Sequence, residues 1–450
     1  MLPLAVSLAL ASERPGLLAT EEATLPNGLR VVVHAWPEAP VVAIRLRIPA
    51  GSASDPPGRS GLAHLVEHLA FEGSAHAPGN RYDRWLGDAG GSSDAATDMD
   101  QMTYSVTVPV GALPLALFLE SDRLGWLTPT EAALANQRAV VANERAESAR
   151  ADQVREALAP LLWPEGHPYA RRVIGLPEDL AVVTLADVQA FVADKLVPSG
   201  ATLVIVGPAA PGAVLDEARR WFEDVPDRGS PTAVAWSGSI GSAPDAPVDE
   251  LLPTRAAWRR GGPGAPAIRA WVPGDVDRVR LRLAWRTFDR GHPDRVALEL
   301  AGAVLADLLR DDEVDVSAWS GRFGGELSLA ANVERAATPL RRIERALEQL
   351  AFEGPPDGAL ERIRATARTW ELRGLQTPAG RAAVLLDCAE RTGAPDCLPI
   401  EWAGREAVDA EAIRRVVRRW LAPGSRVLLA VAPSSRRVAP LPRMIRMAAP

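Results

Sequence analysis

The chain lacks any apolar run long enough to cross a membrane as a helix, and it lacks an excess of basic residues. Acidic residues outnumber basic ones by 57 to 50 in a chain of 450, and the two kinds are mixed throughout. This balance excludes the basic stripe of a nucleic-acid-binding protein and the polybasic patch of a membrane-binding one. The length exceeds what one core accommodates and predicts two or three domains.

Cysteine is scarce, and the N-terminus bears on the compartment. Residues 1–11 form a short apolar segment that ends in small residues before Ser12, as a secretory signal does, although no Lys or Arg precedes it. We expect a signal peptide or N-terminal extension over residues 1–19 and a periplasmic or secreted protein, with a cytoplasmic protein as the alternative. Cys388 and Cys397 form either a single disulfide, which suits an oxidising compartment, or two buried thiols.

Two distant segments share one pattern, in which an amphipathic helix, a proline and an apolar strand follow one another. Pro198 in the first segment matches Pro423 in the second, and Pro208 matches Pro433. An earlier pair of strands, residues 44–47 and 279–282, recurs at nearly the same spacing. The sequence therefore predicts two related halves in which helices and strands alternate.

The predicted boundaries follow from composition. Gly, Pro, Ser and Ala crowd residues 229–273 without a sustained period, which is typical of an interdomain linker. We expect a first half over 20–228, a linker that acts as a flexible strap over 229–273, and a homologous second half over 274–440. Within the first half, the Asn27-Gly28 pair between two strand-like runs predicts a β-hairpin.

A short helical segment, residues 61–71, carries the residues that point to chemistry. His64 and His68 are four positions apart and Glu67 is three from His64, so the three side chains project from one helix face. Two such imidazoles can chelate zinc, which then needs a third protein ligand and, in a catalytic site, a water. The alternative is a chance arrangement or a packing role. It is the weaker one, because polar groups on an apolar helix are costly without a partner.

This segment, together with Leu25 to Leu29 and Gly166-His167-Pro168-Tyr169, resembles the pitrilysin/insulinase family of zinc peptidases, whose inverted motif is His-x-x-Glu-His. The chain is similar above all to the short bacterial and mitochondrial-processing-peptidase-like members. The resemblance implies an α+β fold of two homologous ferredoxin-like α/β sandwich halves. It implies a zinc-dependent endopeptidase, with one Zn²⁺ per chain, that acts on peptides or unfolded segments. It also implies His64, His68 and Glu144 as ligands and Glu67 as the base that activates water.

The first half departs from the family pattern at two places. Gln137 stands two helical turns before Glu144, where the family commonly has a second glutamate that supports the site. We expect this change to alter metal affinity or activity without abolishing catalysis. Ser93, Asp94 and Ala95 lie in the predicted substrate-binding strand. Asp94 replaces an asparagine there and cannot donate a hydrogen bond when ionised, so we expect a shifted substrate preference.

The motif and the resemblance make the half over 20–228 the metal-binding peptidase domain. The homologous half over 274–440 carries no metal motif and departs further from the family. In the family, an arginine and a tyrosine assist catalysis, and their positions fall on Arg310 and Ser317. The tyrosine is therefore missing. Arg310 is either catalytic or a helix-end residue paired with nearby acids. Members without the pair resemble the active subunit of heterodimers, which implies a homologous sister subunit as partner, with a homodimer as second choice. The alternative to an enzyme is a non-catalytic subunit that acts as a scaffold or peptide-binding module. His167 is expected to be structural.

Overall fold

A computed structural model describes residues 16–236, 252–259, 268–436, 440–441 and 443–447. The apolar segment 1–11, on which the signal prediction rests, lies outside the described residues, and so do 237–251 and 260–267 of the predicted linker. Among the described helices, none is long and apolar enough to cross a membrane.

The first half forms one six-stranded sheet in the order β1-β2-β6-β3-β5-β4, with helices packed on it. Its elements in chain order are β1 (Glu21–Thr24), β2 (Arg30–Ala35), β3 (Val42–Ile48), α1 (Leu62–Leu69), α2 (Arg81–Asp88), β4 (Ser92–Thr97), β5 (Met102–Val108), α3 (Leu113–Trp126), α4 (Glu131–Leu162), α5 (Pro177–Val182), α6 (Leu185–Lys195), β6 (Thr202–Gly207) and α7 (Pro211–Phe222).

The second half forms another six-stranded sheet, in the order β12-β7-β11-β8-β10-β9. Its elements are α8 (Arg255–Arg259), β7 (Ile268–Gly274), β8 (Val279–Thr287), α9 (Arg295–Leu308), β9 (Val314–Gly321), β10 (Gly324–Val333), α10 (Ala337–Phe352), α11 (Ala359–Gly374), α12 (Pro378–Thr392), α13 (Leu398–Ala407), α14 (Ala410–Trp420), β11 (Val427–Pro433) and β12 (Ile445–Arg446). The predicted α+β fold of two similar sandwich halves is confirmed.

The two sheets show the predicted duplication strand by strand. β2, β6, β3, β5 and β4 of the first half correspond in order and direction to β7, β11, β8, β10 and β9 of the second. In the first sheet, Arg47 of β3 lies opposite Thr202 of β6, and in the second, Ala284 of β8 lies opposite Val427 of β11. Thr202 matches Val427 at the same spacing that relates Pro198 to Pro423. Arg47 therefore corresponds to Ala284. The sequence pattern instead matched residues 44–47 to 279–282, and so Arg47 to Arg282, which is wrong by two positions. Side chains alternate between the two faces of a strand, so a shift of two positions leaves each residue on the same face.

The Asn-Gly turn predicted at the start of the first half joins β1 to β2. Gly28 has a φ of +86°, which glycine adopts without the steric cost that a Cβ imposes. The side-chain amide of Asn27 donates to the carbonyls of Phe222 and Val225 at 2.7 and 3.1 Å, which fixes the turn against the end of α7. The strands pair antiparallel with Thr24 opposite Arg30, so the hairpin prediction is confirmed.

The halves are interlocked by two helices that cross from one to the other. α12 of the second half packs on β3 and β6, where Leu385 and Leu386 join Val204 in one buried cluster. α4 of the first half packs on β11 and β8, where Leu158 and Leu429 share another. Each fully buried leucine contributes about 1.5–3 kcal/mol. The packing of α12 and α4 therefore joins the halves in addition to the predicted linker.

The boundary of the second half also differs from the predicted one. β7 occupies the last residues of the predicted linker and pairs in parallel with β11, so this half begins before residue 274. β7 escaped prediction because Pro and Gly surround it in sequence, and its pairing partner β11 lies far along the chain. Cys388 at the end of α12 and Cys397 at the start of α13 form a disulfide, which decides between the two states left open.

Candidate metal centre

The position of the first metal-binding residues is set by α1, a helix of two turns whose apolar side chains pack in the core of the first half. Its start is held by Asp55, a 2% exposed residue whose carboxyl oxygens accept from the backbone N–H groups of Gly61 and Ala63, both at 2.8 Å. These bonds satisfy two of the donors that every helix start leaves free. Gly61 has a φ of +88°, and a Cβ there would lie 2.8 Å from Cα of Gly175.

Three ligand atoms from two helices converge beside α1. Nε2 of His64 and Nε2 of His68 are 3.3 Å apart, and Oε2 of Glu144 on α4 lies 3.6 Å from each of them. The imidazole of His64 is buried, whereas the carboxylate of Glu144 is half exposed. The structure thus brings together the three residues that the resemblance implied as ligands.

The donor set fits a zinc ion. Tetrahedral zinc with nitrogen ligands at about 2.0–2.1 Å holds those nitrogens roughly 3.3 Å from each other. Burial, and to a lesser degree His68, lower the pKa of His64 to about 4, so this imidazole is neutral and able to ligate at neutral pH. Two imidazole nitrogens that face each other beside a carboxylate are best satisfied by a shared cation.

Glu67 lies on the same face of α1, and its carboxylate is within 4.8 Å of ligand nitrogens on both histidines. The hydroxyl of Thr97 in β4 donates a hydrogen bond to Glu67 and holds its carboxylate in place. Burial raises the pKa of Glu67, while the bond from Thr97 lowers it. A carboxylate so placed can take a proton from a water at the metal. Thr97 was not predicted to belong to the site, although it is the last residue of β4, the strand of Ser93, Asp94 and Ala95.

Gln137 of α4 contacts the metal site through His68. Its amide oxygen lies 3.1 Å from Nδ1 of His68, and its amide nitrogen donates to the carboxylate of Glu72. Gln137 therefore occupies the supporting position that the resemblance assigned to it. Sequence reasoning missed Glu72. A signal was present, because Glu72 follows His68 by one helical turn and so falls on the same side of the segment.

A cleft of about 470 Å³ opens next to His68. It is lined by Glu67, His68, Phe71, Glu72, Asn80, Asp83, Ser93, Asp94, Ala95 and Gln137. Ser93, Asp94 and Ala95 belong to β4, the edge strand of the first sheet, which pairs with β5 on one side. The unpaired backbone groups of such an edge can bind an extended peptide.

The remaining predicted residues lie elsewhere. Arg310 is in a short 3₁₀ turn after α9, and its exposed guanidinium donates to Asp307 at 2.6 Å, in the manner of the helix-end alternative. Ser317 lies in β9, opposite Ser328 of β10. His167 is buried between the halves, where it stacks on Trp163 and is hydrogen-bonded to the carbonyl of Phe323. These contacts are those of a residue that supports the packing.

Comparison with known proteins gives a family for the first half. The sequence model of insulinase, peptidase family M16, matches residues 30–166. Zinc protease PqqE of Helicobacter pylori is 29% identical over 210 residues, which are 46% of this chain and 47% of that protein. A probable mitochondrial-processing peptidase subunit beta of Schizosaccharomyces pombe is 28% identical over 177 residues, 39% of each chain. The chain thus matches less than half of the length of these two relatives.

Longer matches extend over both halves. An uncharacterized zinc protease of Mycobacterium bovis is 24% identical over 390 residues, 82% of this chain and 83% of that protein. The crystal structure of a protease from Helicobacter pylori superposes with a TM-score of 0.79 at 20% identity, over 92% of this chain and 100% of that one. A peptidase M16 inactive domain from Pseudomonas fluorescens gives 0.78 at 17% identity, over 94% and 99%. These structures share the fold of two sandwich halves.

Proposed function

Residues 30–166 match the family model of insulinase peptidases, and from this premise we propose that the chain is a zinc-dependent endopeptidase for peptides or unfolded protein segments. The observation that carries the proposal is the convergence of Nε2 of His64, Nε2 of His68 and Oε2 of Glu144 within 3.6 Å of one another. The zinc proteases among its relatives support the metal.

The chain's own residues would carry the reaction as follows. An extended peptide adds to the free edge of β4, which aligns its backbone with the cleft. His64, His68 and Glu144 would hold a zinc ion, which would supply a Lewis acid for the peptide carbonyl and lower the pKa of water. Glu67 accepts the proton of the attacking water and passes it to the leaving amine. Thr97 keeps the Glu67 carboxylate oriented during both transfers.

Metal content tests the site. Wild type is expected to hold about one zinc per chain, as a site with three protein ligands does. His68→Ala and Glu144→Ala should lose it, whereas Glu147→Ala, one turn further along α4 and exposed, should retain it. Glu67→Gln should keep the metal and lose peptide hydrolysis. Zinc absent from wild type under zinc-replete conditions would refute the proposal.

A second candidate is a non-catalytic subunit that binds peptides or serves as a scaffold. Two observations favour it, Gln137 in place of the supporting glutamate and Ser317 in place of the tyrosine. A peptidase M16 inactive domain shares the fold, which supports such a role for the architecture. Peptide binding with equal, undetectable turnover in wild type and Glu67→Gln would establish this alternative.

We further propose that the chain is the active subunit of a heterodimer whose sister subunit supplies the arginine and tyrosine. Arg310 is engaged with Asp307 and Ser317 cannot stand in for a tyrosine, so the second half leaves this assistance to a partner. A relative named as a subunit beta supports the assembly. Full peptidase activity of the lone chain, unchanged by its nearest homologue from the same source, would refute the heterodimer, and self-association would favour a homodimer.

The disulfide supports an exported protein, because such bonds persist in oxidising compartments. We propose that residues 1–19 direct export to the periplasm or the medium. Mass spectrometry of the chain purified from its native host gives the N-terminal residue. A mature chain that begins after residue 11 would support export, and one that retains Met1 and free thiols at Cys388 and Cys397 would contradict it.

A further inference from the structure

We propose that Glu72 is a positioning residue that orients the amide of Gln137 and thereby fixes the ring tautomer with which His68 meets the metal. The inference rests on the proposed metal site and assigns to it one further residue. Glu72 lies just after α1, its backbone N–H bonded to the carbonyl of Leu69 at 3.1 Å, and it forms part of the cleft wall.

The orientation of Gln137 follows from the chemistry of its two neighbours. An ionised carboxylate accepts hydrogen bonds and donates none. Glu72 must therefore face the amide nitrogen of Gln137, which donates to it. The amide oxygen is left to face Nδ1 of His68, at 3.1 Å. Glu72 thus decides which end of the Gln137 amide points at the histidine.

The orientation of the amide in turn fixes the proton on His68. An amide oxygen only accepts, so the proton of a neutral His68 sits on Nδ1, and Nε2 keeps its lone pair. That lone pair points towards Nε2 of His64 and Oε2 of Glu144, where a metal would lie. Partners of this kind are what set the tautomer of a metal-binding histidine.

Without Glu72 the amide has a second orientation. Rotated by half a turn, Gln137 would donate to Nδ1 of His68 and place the proton on Nε2, which could then not bind a metal. Gln137 is only 9% exposed, so water does little to restore the first orientation. A glutamate at position 137 would not need this help, because either of its oxygens accepts. It would instead bring two carboxylates into contact.

We expect Glu72→Gln to have opposite effects on metal affinity in the wild-type and the Gln137→Glu backgrounds. In the wild-type background, Glu72→Gln should weaken Zn²⁺ and Co²⁺ binding by roughly 10–100-fold, as changes to the partners of metal ligands do. Gln137→Glu alone should weaken it as well, through repulsion from Glu72. The double variant Glu72→Gln/Gln137→Glu should recover to within about threefold of wild type, since it exchanges the two groups.

The experiment is a double-mutant cycle on the full chain, read by competition for Zn²⁺ and by the visible absorption of Co²⁺. Asp83→Asn, in the same cleft wall, is the control and should leave affinity unchanged. Glu72→Ala should behave as Glu72→Gln, because neither keeps a carboxylate. Thermal melting of the metal-free variants within about 2 °C of wild type would separate positioning from folding.

The outcomes distinguish this inference from the site on which it rests. Tight metal binding by wild type, lost in His68→Ala but unchanged in both Glu72→Gln and Glu72→Ala, would overturn the role of Glu72 and leave the site intact. A double variant at least as weak as the two single losses combined would overturn it too. Absence of metal from wild type would refute the site itself.

Discussion

Asp55 holds the start of α1, the helix that carries His64 and His68, and a substitution there tests how this helix is positioned. Asp55→Ala removes both acceptors that bind the N–H groups of Gly61 and Ala63 and leaves these donors buried. α1 has two turns, so a fault at its start reaches His64 within one turn. The substitution is therefore expected to reduce both the stability of the first half and its affinity for zinc.

The size of the effect follows from the lost hydrogen bonds. An unsatisfied buried donor costs about 1–3 kcal/mol, and loss of a helix cap costs about 0.5–2 kcal/mol. Two donors in a site that is 2% exposed give an expected loss of about 3 kcal/mol. For a unit of roughly 200 residues, this loss lowers the melting temperature by about 6–12 °C. Asp55→Asn keeps one acceptor and should lose about half as much.

Thermal melting of the metal-free chain and zinc competition would measure the two effects. The matched control is Thr184→Ala, which removes the side-chain acceptor at the exposed start of α6. It should cost about 1 kcal/mol and leave zinc affinity unchanged. An Asp55→Ala chain that melts within 2 °C of wild type and binds zinc equally well would show that the carboxyl does not hold α1.

Three further changes test other parts of the molecule. Glu390→Gln leaves Arg47 and Arg290, both of which donate to the largely buried carboxylate of Glu390, without their anion, and should cost about 3 kcal/mol in urea unfolding; a loss under about 1 kcal/mol would show that this carboxylate does not help to join the halves. Cys388→Ser with Cys397→Ser opens a short loop and should cost about 2–3 kcal/mol, lost equally on adding reductant to wild type. Burial lowers the pKa of His167 to about 4, below its unfolded value near 6.5, so stability should fall between pH 6.5 and pH 4. His167→Asn should flatten that slope of melting temperature against pH, and an unchanged slope would refute this origin.

The sequence predicted those features whose cause is local. The spacing of His64, Glu67 and His68 places three side chains on one helix face whatever surrounds them. Asn27-Gly28 predicts a tight turn because Gly28 accepts a positive φ. The apolar strand at Thr202–Gly207 and its repeat at Val427–Pro433 are legible because a buried strand needs a continuous apolar run.

Features that depend on distant partners could not be predicted in this way. Asp55 caps α1 from outside the helix, and nothing in its local sequence marks which N–H groups it will meet. α12 covers β3 and β6 of the other half, a contact between segments hundreds of residues apart. Glu72 looks like an ordinary surface acid until the fold brings Gln137 to it. Zinc binding by His64, His68 and Glu144 stays a prediction, which the metal content of the chain tests.

The duplication makes α1 and α9 equivalent helices, yet the two differ in the groups that they bury. α9 follows β8 as α1 follows β3, yet the buried residues of α9 are all apolar or glycine, whereas α1 buries His64 and Glu67. A polar group in such a layer costs several kcal/mol unless a partner satisfies it. Thr97 satisfies Glu67, whereas Nε2 of His64 faces only another imidazole and a carboxylate. The first half therefore carries a stability cost that a bound cation would remove. Because the halves are interlocked, chelation should lower the melting temperature of the whole chain, and an unchanged melting temperature would contradict this cost.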